Sequence, residues 1–370
     1  MPVPLLDLRA QHATIRDAVA QAMAQVVDDQ AFILGSPVSQ LEREVAALSR
    51  TKYAVGCASG TDALLLALRA LDVAPGDEVV TTPFTFFATA GTVHHVGAKT
   101  IFVDIEPRTF NMSPALAAAA VTARTRAIIP VDLFGQVAAI EEIQRLAPRV
   151  PVIEDAAQSI GARRSIDGEW RMAGELATIG TFSFFPSKNL GAFGDGGMMV
   201  TQDEGLYNRL LRLRTHGSVR TYVHEEVGYN SRLDALQAAV LKAKLPFLAG
   251  WSARRRENAA YYSAAFADLP DVVTPFVDPS NESIFNQYTL RVQRRDALKE
   301  WLAAKHIGHA VYYPLPLHLQ PCFAYLGYAA GAFPESERAA REALSLPVYP
   351  ELTQAALDEV IEAVRSFYGR

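Results

Sequence analysis

Lys188 stands in Gly180-Thr-Phe-Ser-Phe-Phe-Pro-Ser-Lys-Asn-Leu-Gly, between an apolar run and the Gly-rich segment Gly194-Asp-Gly-Gly-Met-Met-Val. Most lysines are solvated surface groups. One set among aromatics and small residues, between two strand-like runs, is expected to lose part of its hydration. Desolvation favours the neutral amine, which acts first as a nucleophile and then as a base. Asp155 ends a second apolar run, Pro151-Val-Ile-Glu-Asp-Ala-Ala-Gln-Ser. A carboxylate at the mouth of a buried sheet is costly unless paired. By itself this segment also suits a helix-capping aspartate or a metal ligand. In Cys57-Ala-Ser-Gly-Thr-Asp-Ala a strand ends in small polar residues and a helix begins. Gly60 and Thr61 then lie where free backbone N–H groups and the helix dipole favour an anion. An ordinary N-cap explains the same residues, and the Gly-Lys-Ser/Thr ending of a Walker loop is missing.

An activated amine, a buried carboxylate and an anion cradle are the set that pyridoxal phosphate requires. A carboxylate against the pyridine nitrogen keeps it protonated, and the charged ring then acts as an electron sink. Asp155 is the candidate for that role, with Gln158, one helical turn on, against the ring hydroxyl. Ser183 is placed to donate to the phosphate. Gly194, Gly196 and Gly197 permit a tight turn or a close approach of backbone to ligand. Phe86, in Thr82-Pro-Phe-Thr-Phe-Phe-Ala-Thr, is a candidate to stack on the ring, although an aromatic there also suits plain core. Asn230 and Arg232, in Gly228-Tyr-Asn-Ser-Arg-Leu-Asp, are expected to open a helix, as a site pair or as a cap and a surface arginine.

The surrounding elements alternate. Short apolar runs begin near Tyr53, Glu78, Thr100, Ala127 and Val150, with helical patterns between them, such as Asp62 to Ala70 and Ala88 to Val96. Runs apolar on both faces and separated by helices predict a mostly parallel sheet covered on both sides, with ligands at the carboxyl ends of the strands. Residues 14–50 read as helix, broken near Gly35-Ser-Pro. Beyond Gly250 the pattern changes to a long Arg-rich helix from Trp251, a strand at Tyr288-Thr-Leu-Arg-Val and a last helix from Gln354 to Phe367. We therefore expect a large domain over 1–250 and a smaller α+β domain over 251–370.

The chain has 370 residues, 50% hydrophobic and 20% charged, with a formal net charge of −5. No basic stripe marks it for nucleic acid. No apolar run approaches the roughly 20 residues of a membrane span, and the N-terminus lacks the layout of a signal peptide. Two cysteines, Cys57 and Cys322, make no disulfide framework. These features predict a cytoplasmic protein.

In these motifs the chain resembles the nucleotide-sugar aminotransferases of the DegT/StrS group, pyridoxal-phosphate enzymes of fold type I. The resemblance runs over nearly the whole chain and includes Ser59-Gly-Thr, Glu154-Asp-Ala-Ala-Gln, Phe182 to Gly191, Gly228 to Leu233 and Tyr313-Pro-Leu-Pro-Leu-His. It implies a mostly parallel seven-stranded sheet flanked by helices. It implies that Lys188 is the Schiff-base lysine, Asp155 the partner of the ring nitrogen and Gln158 that of the ring hydroxyl. Ser183, Gly60 and Thr61 match phosphate contacts, and Phe86 the stacking aromatic. Asn230 matches an asparagine reaching the neighbouring subunit's cofactor, which implies a homodimer with shared sites. Arg232, Tyr313 and His318 fall where related enzymes line the nucleotide-sugar pocket. Glutamate is the implied donor, pyridoxamine phosphate the implied carrier and no metal is implied. A dTDP-linked 3-oxo-6-deoxyhexose is favoured as acceptor over a 4-keto or UDP-linked sugar. Asp132 and Asn286 stand where many relatives carry His. The rival readings are a cysteine-dependent lyase on the same fold and a non-catalytic cofactor-binding regulator.

Overall fold

Seven apolar segments pair into one sheet in the computed structural model, which describes residues 2–370. They are β1 (Tyr53–Cys57), β2 (Glu78–Thr81), β3 (Lys99–Phe102), β4 (Thr125–Ile129), β5 (Ile153–Asp155), β6 (Ile179–Ser183) and β7 (Gly197–Thr201). Their order across the sheet is β3-β2-β4-β5-β6-β7-β1. The β4–β5 junction is made by two parallel bridges, Ile128 with Val152 and Val131 with Asp155. Only β7 runs against the others, antiparallel to both β6 and β1. The sheet is thus seven-stranded and mostly parallel, as expected. Every residue of β2 and β7 is buried, because helices cover both faces.

Helix α1 spans Leu8–Asp28 and α2 spans Gly35–Leu48. The break therefore lies at residues 29–34, ahead of Gly35-Ser-Pro, which instead forms the first turn of α2. Proline fits there, since the first N–H groups of a helix have no intrahelical partner. Helix α3 (Gly60–Ala70) is capped by Ser59, whose hydroxyl accepts the Asp62 N–H at 3.0 Å. Ala63, Leu64, Leu66, Ala67 and Leu68 are buried and Leu65 partly so, since α3 packs on the sheet with α4 (Phe87–His95) alongside. Each fully buried leucine contributes about 1.5–3 kcal/mol.

Two local expectations change. Asn230 and Arg232 do not open a helix: residues 228–234 are extended, and α5 begins only at Ala235 (Ala235–Lys244). The Ser231 hydroxyl bonds the Asp62 carboxylate at 2.6 Å, and Asn230 bridges Thr215. These contacts hold the segment out of helical geometry. Gln158 lies in a turn over 157–161, not in a helix. A hairpin of Arg163–Ile166 and Glu169–Met172 was not anticipated. Its signal is Asp167-Gly168, both at positive φ, the pair that a two-residue hairpin turn selects.

Farther along the chain, β8 (Val272–Val273), β9 (Tyr288–Val292) and β10 (Ala343–Leu346) form an antiparallel sheet in the order β8-β9-β10. Its apolar face packs with Tyr262, Leu298, Leu302, Val360 and Val364, and Val3 joins the same cluster. Val3 pairs with Ile307 in a parallel bridge. Among the described residues, no helix is long and apolar enough to cross a membrane.

One buried ion pair ties α2 to the sheet. Glu42 accepts the Gly56 N–H at 2.8 Å and also bonds Arg214, which donates to the Gly56 carbonyl at 2.9 Å. Removing one partner strands the other charge. Glu42→Leu is expected to cost about 3–5 kcal/mol in urea unfolding; a loss below about 1 kcal/mol would show the pair to be dispensable.

Candidate active site

The carboxyl ends of the parallel strands open into one cavity of about 620 Å³. Asp155 enters it from the end of β5, Ser183 from the end of β6, and Gly60 and Thr61 from the start of α3. Phe86, Gln158, Lys188 and Tyr313 complete the set of expected residues that line it. The sheet explains this convergence. Strands β5 and β6 are hydrogen-bonded neighbours, so two segments distant in sequence end side by side.

Asp155 is 4% exposed. Its Oδ2 accepts the Thr89 hydroxyl at 2.8 Å, and its Oδ1 accepts the Ala157 N–H at 3.3 Å. Burial pushes the carboxyl above its usual range, while those donors and the Lys188 charge pull it back. Lys188 shows the reverse. Burial pushes its amine down to about 8, and the Asp155 charge opposes that shift. The site therefore holds a carboxylate seeking a cation beside an amine that readily gives up its proton.

The anion cradle is built by close approach. A Cβ on Gly60 would lie 2.6 Å from Ser183 Cβ, and one on Gly197 would lie 2.3 Å from the Ser59 carbonyl oxygen. Side chains at either position would force the α3 N-terminus away from β6 and β7. Gly194, Gly196 and Gly197 do not adopt positive φ, so what the fold uses at Gly197 is its missing side chain and not a left-handed turn.

Gln158 is oriented from both ends. Its Oε1 accepts the Phe134 N–H at 2.7 Å, and its Nε2 donates to the Tyr313 hydroxyl at 3.3 Å. Burial pushes the Tyr313 phenol well up, and the Asp155 charge adds to this. The Phe86 ring is exposed at the cavity wall, tilted against Tyr313 with centroids 6.5 Å apart.

Three expected residues lie outside this cavity. Asn230 is exposed and Arg232 half-buried, and the latter has no polar partner among the described residues. His318 is buried, with Nε2 3.0 Å from Glu337 Oε1 and its ring against Phe333. It packs beneath the lining instead of joining it. Asn286 is also outside: its Nδ2 donates to Asn189 Oδ1 at 2.7 Å, bracing the residue after Lys188. The sequence reading did not single out Thr89, Tyr312 or Gln287. Tyr312 and Gln287 line the cavity, and Gln287 Oε1 is buried there without a partner. Thr89 carried a signal, a small hydroxyl residue one turn into the helix after β2. Gln287 carried none, because only the fold brings residues near 287 to β5. Cys57 is buried and its thiol pushed far up by desolvation, which unfits it as a nucleophile. Among the described residues no His, Cys, Asp or Glu group is arranged for a metal.

A family model described as the DegT/DnrJ/EryC1/StrS aminotransferase family matches residues 13–365. The chain belongs to that family. A protein of Geobacillus stearothermophilus called a pleiotropic regulatory protein is 50% identical, over 100% of this chain and 99% of its own. The UDP-N-acetyl-3-dehydro-alpha-D-glucosamine 3-aminotransferase of Acidithiobacillus ferrooxidans is 46% identical, over 98% of this chain and 97% of its own. Among solved structures, DesV of S. venezuelae, crystallised with a ketimine intermediate, superposes with a TM-score of 0.96 at 41% identity, covering 100% of this chain and 99% of that one. This member of the aminotransferase family thus keeps the fold over its full length.

The lowered lysine has a thermodynamic signature. Burial holds the Lys188 amine at about 8 in the folded protein, against an ordinary value of 10.5. Between those values the unfolded chain binds more protons, so stability rises with pH; below about 8 both states are protonated and the slope vanishes. Lys244, also pushed down to about 8 by burial, adds a second slope of the same sign. In the cofactor-free protein, Lys188→Met is expected to remove about 1.4 kcal/mol per pH unit from this window. Urea unfolding below and inside the window measures it, and an unchanged slope would place Lys188 in solvent.

Proposed function

We propose that this protein is a pyridoxal-phosphate-dependent aminotransferase that places an amino group on carbon 3 of a nucleotide-linked keto-sugar. The observation that carries the reading is the Lys188 amine set with the buried Asp155 carboxylate in one cavity, beside the Gly60–Thr61 helix N-terminus. When bound, the cofactor supplies an electron sink for the carbon that bears the migrating nitrogen. The residues present fit it. The α3 N–H groups and the Ser183 hydroxyl would hold its phosphate, and Asp155 would face its ring nitrogen as a carboxylate otherwise short of positive charge. Gln158 would offer its Nε2 to the ring hydroxyl, because its Oε1 is taken by Phe134. Phe86 would cover one face.

Lys188 would hold the cofactor through Nζ and, once an amino donor has taken its place, would be free to move protons, with glutamate as the expected donor. The freed Nζ, whose basicity burial lowers to about 8 so that a neutral fraction is present near physiological pH, would take the proton from the donor's α-carbon. In the second half-reaction it returns a proton to carbon 3 of the sugar. Lys188→Ala and Lys188→Arg are both expected to abolish turnover and the visible absorbance of the attached cofactor; full activity in either would overturn the assignment.

The name of the Acidithiobacillus relative supports amination at carbon 3 and a uridine nucleotide. The sequence alone favoured a thymidine nucleotide. A panel of thymidine- and uridine-linked 3-keto and 4-keto sugars, assayed with glutamate, decides both points. A second reading, a cofactor-binding regulator without turnover, has the name of the Geobacillus relative in its favour. Lys188 beside Asp155 argues for catalysis, and no turnover across the whole panel would favour the regulator.

Asn230 is exposed and outside its own cavity, which suits a homodimer in which Asn230 of the partner subunit completes each site. Mixing Lys188→Ala with Asn230→Ala protein is then expected to restore activity. Heterodimers would carry one site with both residues intact. Failure to complement, with exchange shown by sedimentation, would count against shared sites.

A further inference from the structure

We infer that Asp132 and Glu154 share a single proton, with Glu154 as the acid and Asp132 as the carboxylate, and that this pair positions the turn carrying Asp155 and Gln158. Both residues are 0% exposed. Asp132 is well supplied with donors: Oδ1 accepts the Ala138 N–H at 2.8 Å, and Oδ2 accepts the Ser159 hydroxyl at 2.7 Å. Neither oxygen of Glu154 has a hydrogen-bond partner. The parallel bridges Ile128–Val152 and Val131–Asp155 nevertheless put Glu154 and Asp132 on the same face of the β4–β5 pair, where the two carboxyls act on each other. Two carboxylates cannot bond each other, whereas an acid and a carboxylate can. The donors on Asp132 favour its charged form, so the proton belongs on Glu154.

The groups acting on the pair agree. On Glu154 these are Asp132 and Glu175, with the Gly174 N–H approaching without completing a hydrogen bond; on Asp132 they are Glu154, Asp155, Ala138 and Ser159. No lysine, arginine or histidine is among them. Desolvation and the neighbouring carboxylates raise Glu154 well above the usual range.

The geometry connects this pair to the site. The Asp132 N–H donates to the Asp155 carbonyl at 3.0 Å, and the Asp155 N–H to the Pro130 carbonyl at 2.9 Å. Asp132 also holds Ser159, the residue after Gln158, while Phe134 holds Gln158 itself. The loops leaving β4 and β5 are therefore fastened to each other through the Asp132 carboxylate. Without the proton on Glu154, two adjacent buried anions would push those loops apart. The positioning role rests on the cofactor reading above, but the proton does not.

Difference infrared spectroscopy of the protein near neutral pH tests the shared proton. Wild type minus Glu154→Gln is expected to show the carbonyl stretch of a protonated acid. Asp132→Asn is expected to lose that band too with the number of carboxylates unchanged, because the substituted amide donates to Glu154 and lets it ionise in place of Asp132. A carboxylate band in the first difference, or an acid band surviving Asp132→Asn, overturns the assignment. For positioning, Asp132→Ala is expected to weaken pyridoxal-phosphate binding about tenfold, with Asp132→Asn recovering most of the loss. If thermal unfolding shows that Asp132→Ala does not fold, Ser159→Ala removes the same tie and is expected to weaken binding in the same direction. Undiminished affinity in the folded variant overturns the positioning role. Wild type that shows the acid band yet fails to bind the cofactor would overturn the functional reading and leave the shared proton standing.

Discussion

A carboxylate buried at the end of a parallel strand has to be answered by hydrogen-bond donors and positive charge, and Asp155 draws both from segments far apart in sequence. Thr89 comes from the helix after β2 and Lys188 from the segment after β6, while Ala157, two residues on in the turn after β5, is local. The donors on Asp155 are fewer than a charged carboxylate can use, which leaves it raised and receptive to a further cation. The same burial that raises the acid lowers the amine. Both perturbations follow from burial in one site, and each makes the other more useful.

Holding that cavity in shape is the work of backbone proximity and of buried polar ties. Gly60 and Gly197 allow the start of α3 to sit against β6 and β7 without a side chain between them. Glu42 and Arg214, bonded to each other, hold the N–H and the carbonyl of Gly56 on β1. Asp132 fastens the loop after β4 to the turn after β5. None of these residues lines the cavity except Gly60, yet each fixes an element that does. Buried polar groups are unforgiving when a partner is lost, which makes them suited to setting one geometry out of many.

The family and the site bear on each other. Membership in the aminotransferase family covers almost the whole chain, and the cavity presents an amine, a carboxylate and a helix N-terminus in the arrangement that such chemistry needs. The exposed Asn230, the unpartnered Arg232 and the bare face of Phe86 lie on or near open surface.

The sequence by itself determined the class of fold, because strand and helix periodicities are local and the apolar runs at Tyr53, Glu78, Thr100, Ala127 and Val150 carry them plainly. It also singled out Lys188, Asp155, Ser183 and Gly60, since each sits at or shortly after the carboxyl end of a strand, where such a sheet presents its residues. What it misjudged was local geometry fixed by distant partners. The 228–234 segment stays extended because Ser231 bonds Asp62 and Asn230 bridges Thr215. His318 turns to Glu337. Only the tertiary structure brought Thr89 to Asp155, Gln287 to the cavity and Glu154 to Asp132. These contacts depend on strand order and on loops crossing between strands, and pairing across the sheet leaves no mark on either segment alone.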